Sequence, residues 1–372
     1  MALDAAPVSA GPSSHRPYRR LVLPVVAAAC VAISFVWLSP DWIEALGMSA
    51  VSILAVSALF VAVTPKLSHL AFTFWMFAFI FAAMTHPALF VSWGEFDLKR
   101  AIVPLIQVIM LGMGTTLSIA DFVRVARMPK AVLVGIGLQF TVMPVLAVIS
   151  AAVFGLSSEL ALGLVLVGSC PGGVSSNVIT YLARGNLALS VTMTACSTML
   201  SPLATPLAMR LLAGRSVPIP VESMMLSILQ MIVTPVVVGL LITRYAPKAA
   251  AWAKRFLPGA SMFAICMIIA VTIAISRDDL LVAGAALLGA SVVHNGGGYL
   301  LGYWGARAAG LDGIDSRTVS IEVGLQNCGM ATGLAFGVFK STLVALASAV
   351  FGPWSAISGS VLASWWRRHA SR

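Results

Sequence analysis

The sequence contains about twelve apolar runs, each at least 17 residues long, separated by short charged or Pro/Gly-containing segments. Because a helix of about 20 residues crosses the hydrocarbon core of a bilayer, such runs predict membrane-spanning helices. Charged residues make up 10% of the chain, against about 25% in a soluble domain. The sequence therefore predicts an all-α polytopic integral membrane protein. The runs occupy residues 21–38, 47–64, 70–90, 101–117, 131–154, 159–183, 187–209, 219–243, 256–275, 280–304, 318–339 and 341–366.

The net charge of +10 arises from basic residues in short loops, with no basic cluster interleaved with aromatic residues, so no nucleic-acid partner is expected. If the N-terminus lies in the cytoplasm and the runs alternate in direction, 17 of the 23 Lys and Arg residues fall inside and six fall outside. An excess of Lys and Arg is typical of cytoplasmic loops. It predicts that both termini are cytoplasmic, in a plasma or bacterial inner membrane.

Twelve of the thirteen acidic residues lie in tails, loops or helix ends, and the exception is Glu322, inside the run 318–339. An ionisable group at such a depth costs at least about 2.5 kcal/mol and usually marks a functional site. Other groups must therefore compensate for the carboxylate.

Two runs are interrupted by residues that disfavour helix. Residues 168–177 contain Pro171 with two following glycines, and residues 322–329 contain two glycines and two side-chain amides. Non-helical backbone inside a membrane is tolerated where it is buried in protein or lines a watery cavity. Both interruptions therefore indicate a binding site.

The interruptions also occupy matching positions, in the fourth run of each set of five that follows the first two runs. Because five is odd, the second set should insert upside down relative to the first. Paired broken helices in inverted repeats indicate the site of a secondary transporter. The predicted divisions are an N-terminal tail with a two-helix extension, two five-helix repeats and a cytoplasmic tail, over residues 1–69, 70–213, 214–367 and 368–372.

Oxygen-bearing side chains accompany these breaks. Ser176 and Asn177 follow the first break, and Ser190 and Thr194 are four residues apart, hence on one helical face. Hydroxyl, amide, carbonyl and carboxylate oxygens are ligands for a hard cation such as Na⁺, by analogy with calcium sites.

At this point the sequence resembles a known family. The segments Gly168-Ser-Cys-Pro-Gly-Gly-Val-Ser-Ser-Asn, His294-Asn-Gly-Gly-Gly-Tyr and Ile321-Glu-Val-Gly-Leu-Gln-Asn are similar to the bile acid:sodium symporter family, and the resemblance covers roughly residues 70–367. It implies a panel domain from the first two helices of each repeat, a core domain from the other three, and broken helices that cross. It also implies sodium-driven symport of an organic anion by alternating access.

The resemblance implies two sodium sites that share Glu322. The remaining ligands of the first site would be Ser176, Asn177, Ser190 and Thr194. Those of the second site would be Gln139, Gln326 and the backbone carbonyls of Val323 and Leu325. The substrate would lie near Asn327, Val174 and Ser175, although some bacterial relatives carry a hydroxyl at position 174.

His294 and Asn295 precede three glycines. We expect this segment to act as a hinge or in helix packing, and not in proton transfer. Asn295 is also a candidate substrate contact. An enzyme is not expected, because a nucleophile–base motif and a second buried acid are both lacking. The alternatives are a proton-coupled organic anion transporter, in which Glu322 carries the proton, and a channel or receptor. The expected partners are Na⁺, a bile acid-like or small carboxylate anion such as pantoate, and the lipid bilayer, with the monomer as the functional unit.

Overall fold

The computed structural model describes residues 42–62, 71–124, 127–214 and 217–369. Within these ranges the regular secondary structure is helical, apart from a short antiparallel hairpin and one isolated bridge. The hairpin pairs β1 (Ser92–Trp93) with β2 (Phe96–Asp97). The prediction of an all-α polytopic protein is confirmed.

The helices of the first part of the chain are α1 (Trp42–Ala62), α2 (Ala71–Thr85), α3 (Ala88–Val91), a 3₁₀ helix (Leu98–Ala101), α4 (Ile102–Thr116), α5 (Ile119–Val123), α6 (Pro129–Val153), α7 (Ser158–Ser169), α8 (Ser175–Leu182) and α9 (Leu187–Leu212). Those of the second part are α10 (Val221–Ile228), a π segment (Leu229–Val233), α11 (Thr234–Tyr245), α12 (Pro247–Ile275), α13 (Arg277–Ala308), α14 (Gly313–Gly324), α15 (Cys328–Leu334), a second π segment (Ala335–Phe339) and α16 (Thr342–His369).

Seven helical stretches in the described residues are long and apolar enough to cross a membrane, by length and composition. They are Leu98–Thr116, Pro129–Val153, Leu187–Leu212, Val221–Tyr245, Pro247–Ile275, Arg277–Ala308 and Thr342–His369. Shorter apolar helices include α2, α7 and the stretch that begins with α15. The predicted run 21–38 lies outside the described residues.

The chain divides into two compact units between Phe81 and Ala82. The described part of the first unit consists of α1 and most of α2. Glu44 is the one charged residue in the sequence of α1, and the sequence of α2 contains none. Helices that are apolar on all sides are buried in protein or in a membrane. The unit boundary falls within α2, and the predicted division at residues 69 and 70 remains a prediction.

In the second unit, α4 packs against α11 and α12, whereas α6 packs against α7, α9 and α13. Glycines let the backbones of α4 and α11 approach each other closely. A Cβ atom on Gly114 would lie 2.2 Å from the carbonyl oxygen of Val236, and one on Gly239 would lie 2.8 Å from the Cα of Gly114. Such backbone contact through small residues is typical of membrane helices.

The helix α13 remains continuous through residues 294–298, where a hinge or helix packing was expected. Gly297 lies against Leu146 of α6, and Gly298 lies against Met143 of α6 and the backbone of Gly324. These glycines therefore bring α13 close to both α6 and α14, as expected for helix packing.

Candidate functional site

Two helical spans are interrupted, and the interruptions cross each other. One lies between α7 and α8 and the other between α14 and α15, which confirms the breaks predicted in residues 168–177 and 322–329. The two extended segments pair through an antiparallel bridge between Gly172 and Gln326.

Backbone hydrogen bonds flank this bridge. The amide of Gly173 donates to the carbonyl of Leu325 at 2.8 Å, and the amide of Asn327 donates to the carbonyl of Pro171 at 3.0 Å. Each broken segment thus satisfies polar backbone groups of the other, which hydrocarbon would leave unpaired.

Glycine is required where the segments touch. A Cβ atom on Gly172 would lie 2.8 Å from Oε2 of Glu322, and one on Gly173 would lie 2.7 Å from the carbonyl oxygen of Gln326. Pro171 ends the helical hydrogen bonding just before this contact, because it has no amide hydrogen. The Pro-Gly-Gly sequence therefore both breaks the helix and permits the close approach.

The carboxylate of Glu322 is 1% exposed and lies among three hydroxyl groups. Ser176 donates to Oε1 at 2.6 Å, and Thr194 lies 3.1 Å from Oε1 and 2.9 Å from Oε2. Ser190 also donates to Oε1. Three helices supply these groups, since Ser176 is on α8, Ser190 and Thr194 are on α9, and Glu322 is on α14.

Each of these hydroxyls meets more acceptors than it has protons. The single proton of Ser190 faces both Glu322 and Oδ1 of Asn177, which lies 2.9 Å away. The proton of Thr194 faces the carboxylate and the carbonyl of Ser190, 3.0 Å away. We call Ser176, Asn177, Ser190, Thr194 and Glu322 the hydroxyl cluster. Acceptor oxygens therefore outnumber protons in this cluster. Oxygens in such excess are potential ligands for a cation.

In the described part of the chain, no basic side chain pairs with the carboxylate of Glu322. Arg124 pairs with Asp121 and Arg277 with Asp278, and neither pair involves Glu322. Clusters of three or more His, Cys, Asp and Glu side chains are also lacking among the same residues. One carboxylate with neutral oxygens suits a hard monovalent cation better than a transition metal.

Side-chain amides lie beside the hydroxyl cluster. Nε2 of Gln139 donates to the carbonyl of Cys170 at 2.9 Å and to Oε1 of Gln326 at 2.8 Å. Nε2 of Gln326 in turn donates to the carbonyl of Val323 at 2.7 Å. We call these two amides and two carbonyls the amide cluster. Oε1 of Gln139 is buried and has no hydrogen-bond partner among the described residues.

The predicted substrate-facing residues differ in exposure. Val174 is half-buried and Ser175 is exposed, at the start of α8. Asn327 is buried, and its Oδ1 accepts the amide of Met330 at 3.0 Å, which caps α15. Its Nδ2 has no partner among the described residues, so it keeps a free donor beside the crossing.

Asn295 lies apart from these groups. It is 1% exposed, its Nδ2 donates to the carbonyl of Gly324 at 2.8 Å, and its Oδ1 accepts the hydroxyl of Ser358 at 2.7 Å. Both ends of the amide are occupied by protein groups, unlike the amide of Asn327.

Comparison with known proteins identifies the family. Residues 103–282 match the model of the Sodium Bile acid symporter family. The chain is 38% identical over 310 residues to the sodium-dependent transporter YocS of Bacillus subtilis, covering 82% of this chain and 95% of YocS. This chain belongs to the sodium/bile acid symporter family.

Plant members of the family are also similar. The probable sodium/metabolite cotransporter BASS1 of Arabidopsis thaliana is 37% identical over 267 residues, covering 72% of this chain and 67% of that protein. BASS2 of Oryza sativa is 37% identical over 277 residues, covering 74% of this chain and 65% of that protein. The chain is accordingly a multi-pass membrane transporter coupled to sodium, and not an enzyme.

Within this family member, sequence reasoning missed several residues that support the site. Ser358 lies in an apolar run, where serine is common and carries no distinctive spacing, and Tyr299 ends the segment His294-Asn-Gly-Gly-Gly-Tyr but was given no role. The carbonyl of Cys170 was also missed, because a backbone group that accepts a side-chain hydrogen bond leaves no sequence signal. The paired glycines offered the one usable signal, since they mark close backbone approach.

Proposed function

We propose that the protein is a symporter that moves an organic anion together with two sodium ions that share Glu322. The observation that carries this proposal is the hydroxyl cluster, in which one buried carboxylate and three hydroxyls converge from three helices at the crossing of two broken spans. Sodium-coupled transport is a property of the family, and the proposal adds the ion number, the ligands and the substrate class.

The first sodium ion binds in the hydroxyl cluster. Ser176, Ser190 and Thr194 turn their protons away and present lone pairs, while Asn177 and Glu322 contribute carbonyl and carboxylate oxygens. Acceptor oxygens already outnumber protons there. A bound cation coordinates these oxygens, which then no longer compete for the same protons. Little rearrangement is required.

The second sodium ion binds between Glu322 and the amide cluster, where the remaining ligands are Gln139, Gln326 and the carbonyls of Val323 and Leu325. The unpaired Oε1 of Gln139 supplies one available ligand. Nε2 of Gln326 turns away from the carbonyl of Val323, because the positive end of its N–H dipole points at that oxygen and opposes a cation bound there. Binding at this site therefore requires side-chain rotation.

The substrate is an organic anion, bile acid-like or a small carboxylate such as pantoate. Its charged group lies near Asn327, whose Nδ2 is an available donor, and near the first turn of α8 at Val174 and Ser175. Amides in the first turn of a helix lack intrahelical partners and favour an anion. The adjacent sodium ions add positive charge to the same region.

Transport proceeds by alternating access, in which the group containing α4, α11 and α12 moves relative to the helices that carry the crossing. The protein works as a monomer in the plasma or inner membrane, with both termini in the cytoplasm.

In a variant lacking the native cysteines, Gly94→Cys should react with an impermeant thiol reagent added outside intact cells. Reaction only after permeabilisation would reverse the orientation.

The experiment that tests this function compares Glu322→Gln with Glu222→Gln, a matched control because Glu222 is exposed on α10. Purified proteins in liposomes are assayed with radiolabelled pantoate and taurocholate under an inward sodium gradient. Glu322→Gln should lose sodium-stimulated uptake of whichever probe the wild type transports, and Glu222→Gln should retain it. Uptake by the wild type under a proton gradient without Na⁺ would instead make Glu322 a proton carrier.

A further inference from the structure

The carbonyl of Gly324 has an unusual partner. It ends the helix α14, so the chain beyond it offers no continuing helical donor; the amide of Cys328 donates to the carbonyl of Gln326 instead. Asn295 of α13 supplies the missing donor, with Nδ2 2.8 Å from the carbonyl oxygen. A buried carbonyl left unpaired here would be costly.

The orientation of the Asn295 amide is fixed from both sides. The carbonyl of Gly324 is an acceptor only, so the NH₂ group must face it, and Oδ1 must face the hydroxyl of Ser358 at 2.7 Å. The hydroxyl of Tyr299 lies 3.3 Å from Oγ of Ser358 and can donate to it. The carbonyl of Ser355 is a second acceptor for both hydroxyls, 3.5 Å from that of Tyr299 and 3.1 Å from that of Ser358. The shorter contacts connect Tyr299 through Ser358 and Asn295 to the break.

Packing holds α13 and α14 together at the same place. A Cβ atom on Gly324 would lie 2.2 Å from Cδ1 of Tyr299, and one on Gly298 would lie 3.1 Å from the Cα of Gly324. One turn earlier in α14, the hydroxyl of Ser320 donates to the carbonyl of Tyr299 at 2.6 Å. The end of α14 therefore has little freedom to move relative to α13.

This fixed end adjoins the proposed sodium ligands. Val323 and Leu325 are the neighbours of Gly324 in the chain, Glu322 lies two residues before it, and Gln326 lies two residues after it. The Gly324 carbonyl lies in the peptide plane between the two planes that carry the Val323 and Leu325 carbonyls. Holding it therefore restricts the rotation of both neighbouring planes. The Asn295 amide also occupies the Gly324 carbonyl itself through a hydrogen bond of 2.8 Å.

We infer that Asn295, held by Ser358, is a positioning residue that sets the affinity for sodium by fixing the helical break beside Glu322. This inference rests on the proposed function. It assigns Asn295 no contact with the substrate, because both polar atoms of its side chain are used within the protein and its side chain is buried.

The test measures equilibrium binding of ²²Na⁺ to purified full-length protein, with no organic anion present. Asn295→Leu keeps the size of the side chain and removes the donor, so the sodium concentration for half-saturation should rise roughly tenfold, the scale expected when one buried acceptor loses its partner. Ser358→Ala should raise it a few-fold, and Ser358→Thr, which restores a hydroxyl, should return it towards the wild-type value.

Ser360→Ala is the matched control, because Ser360 is half-buried on the same helix and its hydroxyl donates to the carbonyl of Ala356. It should leave sodium binding unchanged. Thermal unfolding of every variant without Na⁺ separates a loss of fold from a loss of affinity. If Asn295→Leu does not fold, the comparison of Ser358→Ala with Ser358→Thr provides the test of the positioning role.

Wild-type half-saturation in Asn295→Leu, or in Ser358→Ala where Asn295→Leu does not fold, would overturn the positioning role and leave the proposed function intact. Absence of saturable ²²Na⁺ binding in the wild type would instead refute the proposed sodium sites, and this inference with them.

Discussion

The hydroxyl cluster and the amide cluster adjoin each other, since Glu322 of the first precedes Val323 of the second in α14, but they differ in how donors and acceptors balance. In the hydroxyl cluster the acceptors outnumber the protons, so the oxygens compete for hydrogen. In the amide cluster, Gln139 and Gln326 donate to two carbonyls and Gln139 also donates to Gln326, which leaves the buried Oε1 of Gln139 without a partner. The first arrangement is ready for a cation, whereas the second must reorganise. Under the proposed function, we expect most of the sodium affinity to come from the hydroxyl cluster and the conformational response to come from the amide cluster.

The largest expected effect is that of Glu322→Gln, because it removes the anionic ligand that the two proposed sodium sites share. Stabilisation of the purified protein by Na⁺ should vanish, while the protein should still insert and unfold cooperatively, since the change removes an insertion cost of at least about 2.5 kcal/mol. Thermal unfolding in NaCl and in choline chloride checks this. Retained stabilisation by Na⁺ would show that the proposed sites do not depend on their shared carboxylate.

The next effect should come from Gly172→Ala. The added Cβ would lie 2.8 Å from Oε2 of Glu322, and that carboxylate cannot swing aside without leaving the hydroxyls of the cluster. We expect the sodium concentration for half-maximal uptake to rise at least about tenfold, corresponding to about 1.4 kcal/mol. Gly137→Ala is the control, because a Cβ atom there meets nothing within 4 Å. Equal behaviour of the two variants would contradict the close contact.

Single hydroxyl removals should have smaller effects. Ser190→Ala and Thr194→Ala each delete one neutral ligand, and we expect each to weaken sodium binding by about 1 kcal/mol, or roughly fivefold in concentration. Ser201→Ala is the control on α9, since its buried hydroxyl donates to the carbonyl of Thr198 within the helix. Sodium titrations of uptake rate provide the measurement. If Ser201→Ala shifted the titration as far, the effect would belong to helix stability.

The smallest change in affinity should follow Gln139→Leu, which disables the amide cluster and leaves the hydroxyl cluster intact. Half-saturation by Na⁺ should rise only about threefold, less than the effect of one lost charged ligand. The steepness of the sodium titration should fall to that of a single site. An unchanged, cooperative titration would argue against a second ion at the amide cluster.

Much of this site could be predicted from the sequence. Pro171 and its glycines predicted the first break, and Glu322 stood out as a carboxylate inside an apolar run. Both rest on strong local rules, namely the missing amide hydrogen of proline and the cost of a charge in hydrocarbon. The convergence of Ser176 and Ser190 on Glu322 depended on the family resemblance, because no spacing rule joins residues more than 130 positions apart.

The rest required coordinates. The support of the Gly324 carbonyl by Asn295 joins a side chain to a backbone group on another helix, which leaves no pattern in a sequence. The glycines at 296–298 favoured a hinge as much as packing, and only the neighbouring helices decide between them. The π segments Leu229–Val233 and Ala335–Phe339 were likewise unpredicted, since they insert an extra residue per turn without a distinctive composition.

The central claim is that each cluster binds one sodium ion, and the charge moved per cycle tests it most directly. Two Na⁺ entering with one organic monoanion carry one net positive charge, so an inside-negative potential of 100 mV should contribute about 2.3 kcal/mol to uptake. In proteoliposomes with an imposed K⁺ diffusion potential, sodium-driven uptake of a transported monoanion should accelerate when the inside is negative and slow when it is positive. Uptake of the monoanion that is independent of voltage would mean one Na⁺ per cycle and would contradict the two-site account.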